Sequence, residues 1–232
     1  DGLMVATGEG EWLWRPLQNP RQVLVTSFAT TNPKGFGLMQ RDRQWSSYED
    51  VEARYERRPS AWVRPLHPWG PGRVELVQLP TPDETHDNVV AYWVPQQLPA
   101  PGTPLEVSYE LAWQGDEQQR PPSAWATQSR KGVGYTQQSA EALRTQVQYV
   151  VDFTGPALHD LKADAPVKAV VTSDANGRVL ESGVYRNPAT GQWRMTLRVE
   201  RLRKDQPIEL RAFLQHLQHA VSETWTHVIL PE

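Results

Sequence analysis

Cysteine is absent from this chain of 232 residues. That excludes a thiol nucleophile and a zinc–thiolate site. It does not fix the compartment, but it is permissive of an oxidising one, where a stray thiol is a liability. No run of about 18 apolar residues occurs, so no segment reads as a membrane-spanning helix. A strong charge of either sign is missing as well. Lys and Arg total 24 against 27 Asp and Glu, a formal net charge of -3, which argues against a nucleic-acid or anionic-membrane surface and fits a neutral or weakly charged ligand. The sequence has no Gly-rich phosphate loop, no His-Glu-x-x-His and no Gly-x-Ser-x-Gly elbow, and it offers no cofactor or metal site. Asp1-Gly2-Leu3-Met4 lacks the features of a signal peptide and runs at once into patterned sequence, so it reads as the start of a piece cut from a longer precursor.

Two residue types are abundant. Pro numbers 20, about 9% against a usual ~5%, which fits short strands joined by rigid turns. Trp numbers 10; its ring packs cores, and its flat apolar face also stacks on sugars.

The pattern is nearly all β. Strand-like runs cover Glu11–Leu17, Gln22–Phe28, Gly35–Gln40, Arg73–Leu79, Asn88–Val94 and Pro104–Trp113. The last has the clearest alternation, with Leu105, Val107, Tyr109 and Leu111 on one side of the period. Trp45 to Arg57 is the one helix-like stretch, with Tyr48, Val51 and Tyr55 at helical spacing. Residues 116–130 are polar and Pro-rich and read as a linker between a first domain (1–115) and a second (131–232). The second domain carries runs at Gln146–Phe153, Val167–Ser173, Gly177–Tyr185, Gln192–Glu200, Pro207–Leu214 and Ser222–Leu230, with Asn176-Gly177 and Thr190-Gly191 as hairpin turns. This rhythm predicts an immunoglobulin-like sandwich without a disulfide. Its acids Asp152, Asp160, Asp164 and Glu223 are scattered and read as surface residues.

Three constellations could carry chemistry. Pro80-Thr81-Pro82-Asp83-Glu84-Thr85-His86-Asp87-Asn88 gathers carboxylates, a His and an Asn between two apolar strands. By itself it reads either as an acidic turn or as a catalytic loop whose carboxyl acts as a general acid. Asp50 to Trp62 interleaves Tyr55, Arg54, Arg57 and Arg58 with acids; it suits sugar hydroxyls and ring faces, or equally a solvated helix with Glu–Arg pairs. Gly8-Glu9-Gly10-Glu11-Trp12-Leu13-Trp14 puts two indoles on one strand face, as core or as a sugar platform.

Taken together, several segments resemble the OpgG/OpgD (MdoG/MdoD) family of osmoregulated periplasmic glucan biosynthesis. They are Gly8-Glu9-Gly10-Glu11-Trp12, Arg15-Pro16-Leu17, Asn32 to Arg41, Arg54 to Trp62, Asp83-Glu84-Thr85-His86-Asp87-Asn88 with Ala91-Tyr92-Trp93, Val150 to Gly155 and Ser222 to Trp225. The resemblance covers nearly the whole chain. It implies an all-β fold: the later part of a large glucan-processing β-sandwich followed by an immunoglobulin-like β-sandwich. It further implies a periplasmic location, reached by a signal segment upstream of Asp1. The implied activity is inverting hydrolysis of β-1,2-glucan, with transglycosylation on the same scaffold, or a non-catalytic glucan-binding scaffold, as alternatives. Asp87 would be the general acid. The base would be Asp1 or an Asp preceding this chain, in which case the chain alone is inactive. Tyr55, Arg58, Glu84, Thr85 and Trp125 would bind substrate. The implied partners are β-1,2-glucan, a second copy of the chain in a homodimer and a membrane glucosyltransferase, with no nucleic acid.

Overall fold

The computed structural model describes residues 1–83, 86–134 and 139–231. The chain is all-β and forms two compact units, Asp1–Gln119 and Arg120–Glu232.

In the first unit, β1 (Gly2–Ala6), β2 (Trp12–Pro16), β4 (Gly35–Met39), β5 (Ser60–Pro65) and β8 (Tyr109–Gln114) lie antiparallel in the order β2-β1-β4-β5-β8. A second sheet holds β3 (Leu24–Thr31), β6 (Pro71–Gln78) and β7 (Val89–Pro95) in the order β3-β6-β7. Leu3, Val5, Leu13 and Phe36 of the first sheet pack with Phe28, Val74 and Leu76 of the second. The two-residue period of a strand puts Leu3 and Val5 on that common face, and each such side chain contributes roughly 2 kcal/mol. On the opposite face Met4 pairs with Trp14, and the Arg41 guanidinium lies 3.5 Å above the Trp14 ring. Trp12 stacks on Trp62 at 6.0 Å. Trp14 is therefore core packing, and Trp12 is its half-buried neighbour on the same face. Glycine makes the room: a Cβ at Gly2 would come within 2.6 Å of the Trp14 ring, and one at Gly35 within 2.3 Å of Trp62.

The helix expected over Trp45–Arg57 does not form. Two single 3-10 turns, Trp45–Ser47 and Tyr55–Arg57, stand in its place. Glu49 and Arg54 adopt φ of 52° and 49°, in the left-handed region that breaks a helix. Between them the Asp50 carboxylate accepts the N–H groups of Glu52 and Ala53, a side-chain-capped turn that competes with helix.

The second unit has β9 (Trp125–Gly132), β10 (Gln146–Thr154), β12 (Gly177–Arg186) and β13 (Trp193–Arg201) in the sheet order β12-β13-β10-β9. Opposite are β11 (Val167–Ser173), β14 (Ile208–His216) and β16 (Thr224–Ile229) in the order β11-β14-β16, with β15 (His219–Ala220) on β14. Taking β9, β10, β11, β12, β13, β14 and β16 as strands A to G gives DEBA against CFG, the constant-type immunoglobulin arrangement. Where antibody domains bridge B to F by a disulfide, Tyr149, Val151 and Phe153 of β10 and Leu210, Ala212 and Leu214 of β14 are buried apolar residues, with Trp193 and Trp225 beside them in the core. Two short helices, α1 (Ala140–Thr145) and α2 (Pro156–His159), flank β10.

Two expectations for this unit are corrected. Asn176-Gly177 is not a hairpin turn, because β11 and β12 belong to opposite sheets; Gly177 opens β12, where a Cβ would meet Ile208 at 2.4 Å. Thr190-Gly191 is the hairpin, with Gly191 at φ 74°. Asp152 and Glu223 are buried, whereas Asp160 and Asp164 are exposed. Within the 116–130 stretch read as linker, the units divide after Gln119 and β9 is under way from Trp125.

Candidate functional site

Asp87 lies on the connection between β6 and β7, whose neighbouring ends pair Gln78 with Val89. The neck of this connection is closed twice: Leu79 N–H donates to Asn88 O at 2.8 Å, and Asn88 Nδ2 donates to Leu79 O at 3.0 Å. Asn19 grips the loop from outside, donating to Thr81 O at 2.7 Å and accepting Thr81 N–H at 3.0 Å. Further along, Thr81 Oγ1 donates to Asp83 O, and His86 Nδ1 sits 3.0 Å from Asp83 Oδ1. The side chain of Asp87 is exposed. Glu84 and Thr85, the two substrate-binding candidates of this loop, lie outside the described residues.

Tyr55 and Arg58 come together on a different connection, the turn that leads into β5. The Arg58 guanidinium lies 4.3 Å above the Tyr55 ring, and Tyr48 packs on Tyr55 at 6.1 Å. Glu56, between them, is buried and bound by Arg54 at 2.7 Å. Burial pushes its carboxyl up, but the Arg54 hydrogen bond, with help from Arg57, more than offsets this and holds it below the usual range. The turn rests on polar side chains that its sequence gave no reason to single out. Gln40 Nε2 donates to Tyr55 O, and Arg43 donates to the backbone oxygens of Glu56 and Arg58. Gln40 and Arg43 stand well before the turn in sequence, so no local spacing could have shown them as its supports.

A hollow of about 440 Å³ opens in the same unit, lined by Trp69, Trp93, Tyr92, Tyr109, His67 and Leu111 among others. Trp69 is its centre, 5.8 Å from Trp93 and 6.3 Å from Tyr109 in an edge-on contact. High Trp content was legible in the sequence; which indoles gather was not.

Two candidates remain. Asp1 is exposed, and its carbonyl accepts the Leu17 N–H at 2.9 Å. Trp125 belongs to the second unit, where it begins β9 and carries the Arg120 guanidinium 4.9 Å above its ring. Among the described residues no group of three or more His, Asp or Glu side chains is placed to hold a metal.

The sequence profile of the family described as "Periplasmic glucan biosynthesis protein, MdoG" matches residues 1–229. The chain belongs to the MdoG family. It is 52% identical to Glucans biosynthesis protein G of Ralstonia nicotianae over 100% of its own length and 46% of that relative's. The corresponding proteins of Pseudomonas aeruginosa and Pectobacterium atrosepticum are 47% and 46% identical, over 97% and 98% of this chain and 44% of each relative. This MdoG-family chain thus spans somewhat less than half the length of the curated relatives it matches. No helix in it is long and apolar enough to cross a membrane, among the described residues.

Proposed function

We propose that the chain acts in periplasmic glucan biosynthesis by cleaving β-1,2-glucan with inversion, with Asp87 as the general acid. The observation that supports this best is the pinned β6–β7 connection. It holds Asn88, the residue beside Asp87, at both its backbone and its side chain, and so fixes where the chain leaves the carboxyl. Asp87 hands its proton to the departing glycosidic oxygen. A second carboxylate, Asp1 or a residue preceding it, activates water on the opposite face, at the separation of about 6.5–9.5 Å that inversion requires. Tyr55 and Arg58, with Glu84 and Thr85, orient the sugars. The side chain of Asp87 is exposed, open to an incoming glucan.

That same exposure favours a second reading, a glucan-binding scaffold that serves a membrane glucosyltransferase without turnover. One experiment separates the two. A polypeptide of the relatives' full length that carries this chain is incubated with linear β-1,2-glucan, and reducing ends and their anomeric configuration are followed by NMR. New ends of inverted configuration support hydrolysis. Cyclic or elongated products identify a transglycosylase. Binding with no new ends supports the scaffold.

A further inference from the structure

We infer that Arg43 is the positioning residue of the Tyr55–Arg58 turn, setting the geometry of the glucan-binding pair without itself belonging to it. The inference rests on the reading of Tyr55 and Arg58 as glucan-binding residues.

The turn poses a backbone problem. Arg54 at φ 49° and the 3-10 turn at Tyr55–Arg57 direct the carbonyl oxygens of Tyr55, Glu56 and Arg58 toward side chains of the unit and away from any strand ladder. Carbonyls off the ladders take their donors from elsewhere. Tyr55 O accepts the Arg58 N–H at 3.1 Å and a further hydrogen bond from Gln40. Arg43 serves the other two through a single nitrogen: Nη1 lies 3.0 Å from Arg58 O and 3.3 Å from Glu56 O. Its second nitrogen, Nη2, donates at 3.3 Å to Ser60 Oγ on β5 and at 3.3 Å to Gln114 O, the last residue of β8. One planar fork thereby ties the turn to two strands of the sheet. The side chain is only 10% exposed, and its charge is met by Asp116 at 3.8 Å.

The anchor of this fork is itself rigid. Gln40 N–H donates to Ser60 Oγ at 2.9 Å, Ser60 Oγ donates to Gln118 Oε1 at 2.7 Å, and Gln118 Nε2 donates back to Gln40 O at 2.8 Å. This closed ring fixes the Ser60 hydroxyl that Arg43 uses. A lysine cannot reproduce the arrangement, because its compact ammonium has no fork with which to reach both the turn and the sheet. The apolar core of the unit, Leu3 to Leu76, does not include Arg43, so loss of the fork loosens the turn and leaves the sandwich folded.

The test uses the full-length polypeptide with Asp87→Asn as background, so that glucan is bound and not consumed. Arg43→Ala and Arg43→Lys are compared with the background by amide hydrogen exchange over residues 54–58 and by calorimetric titration with linear β-1,2-glucan. Both variants are expected to keep the cooperative thermal transition, to exchange faster across the turn and to bind glucan about ten-fold more weakly, the scale of a lost charge-assisted hydrogen bond. Arg43→Lys, which keeps charge and stem, decides the matter if the alanine variant fails to fold. Unchanged exchange overturns the inference whatever the titration gives, and so does faster exchange with unchanged affinity. Failure of the background protein itself to bind β-1,2-glucan overturns the functional reading, and the inference with it.

Discussion

Two carboxylates illustrate how single residues hold each unit together. Glu9, at the β1–β2 turn, accepts Thr30 Oγ1 at 2.7 Å and Thr31 N–H at 3.1 Å, and so bridges one sheet of the first unit to the other. The Thr30 hydrogen bond, with the backbone N–H groups of Glu9 and Thr31, holds its carboxyl at about 2, against 4.5 for an ordinary glutamate. A depressed folded-state pKa gives stability that is complete above the ordinary value and is lost as pH falls through the folded one. Thermal unfolding followed from pH 6 to pH 2 is therefore expected to show the native protein above Glu9→Gln at the upper end, with the gap closing between 4.5 and about 2. A gap independent of pH would contradict this. In the second unit, burial pushes the Asp152 carboxyl up, but Arg194 (2.7 and 2.8 Å) and Arg130 (2.9 Å) more than offset that and hold it below the usual range. Asp152→Asn leaves these guanidinium groups without a charged acceptor and is expected to cost about 2 kcal/mol at neutral pH. Denaturant unfolding measures it, and the cost shrinks as pH falls below 3.8. The sequence reading of Asp152 as a surface acid failed because its two partners come from other strands, β9 and β13, which no local pattern reports.

At the scale of elements, the connections matter more than the strands. Strands with one wet face were legible from their alternation, and most lie within a few residues of their expected bounds. The clearest alternation, Pro104–Trp113, was nonetheless misleading: β8 begins only at Tyr109, opposite Pro65. A strand needs a partner, and β5 ends at Pro65. Beyond it Leu66 N–H to Ser108 O and Ser108 N–H to His67 continue the contact. β1 was missed for the opposite reason: all five of its residues are buried, so it shows no alternation. The β6–β7 connection was legible as a motif, but its clamp was not, since Asn19 lies far away in sequence. Asn19→Ala removes two hydrogen bonds from the loop. It is expected to lower stability by about 1 kcal/mol, to speed amide exchange at Thr81, and to reduce turnover of glucan by more than the stability loss explains. Unchanged exchange at Thr81 would show that the loop holds its shape without Asn19.

At the scale of the whole molecule, two sandwiches built without cysteine follow from the sequence. The period of the strands, the turn residues and the absence of long apolar runs all point to them, and the immunoglobulin-like order of the second unit bears this out. The family was legible from motifs that span the chain, and the match over residues 1–229 bears that out too. The state of the site was not legible. Whether a carboxyl is covered or bare depends on what folds over it, and Asp87 is bare. The most direct test measures reducing ends released from linear β-1,2-glucan by full-length polypeptide and by its Asp87→Asn variant, with glucan affinity measured on both. The account predicts steady release by the native protein, at least a ~10²-fold loss in the variant, as expected for removal of a general acid, and near-equal affinity. Equal rates from the two proteins would contradict it.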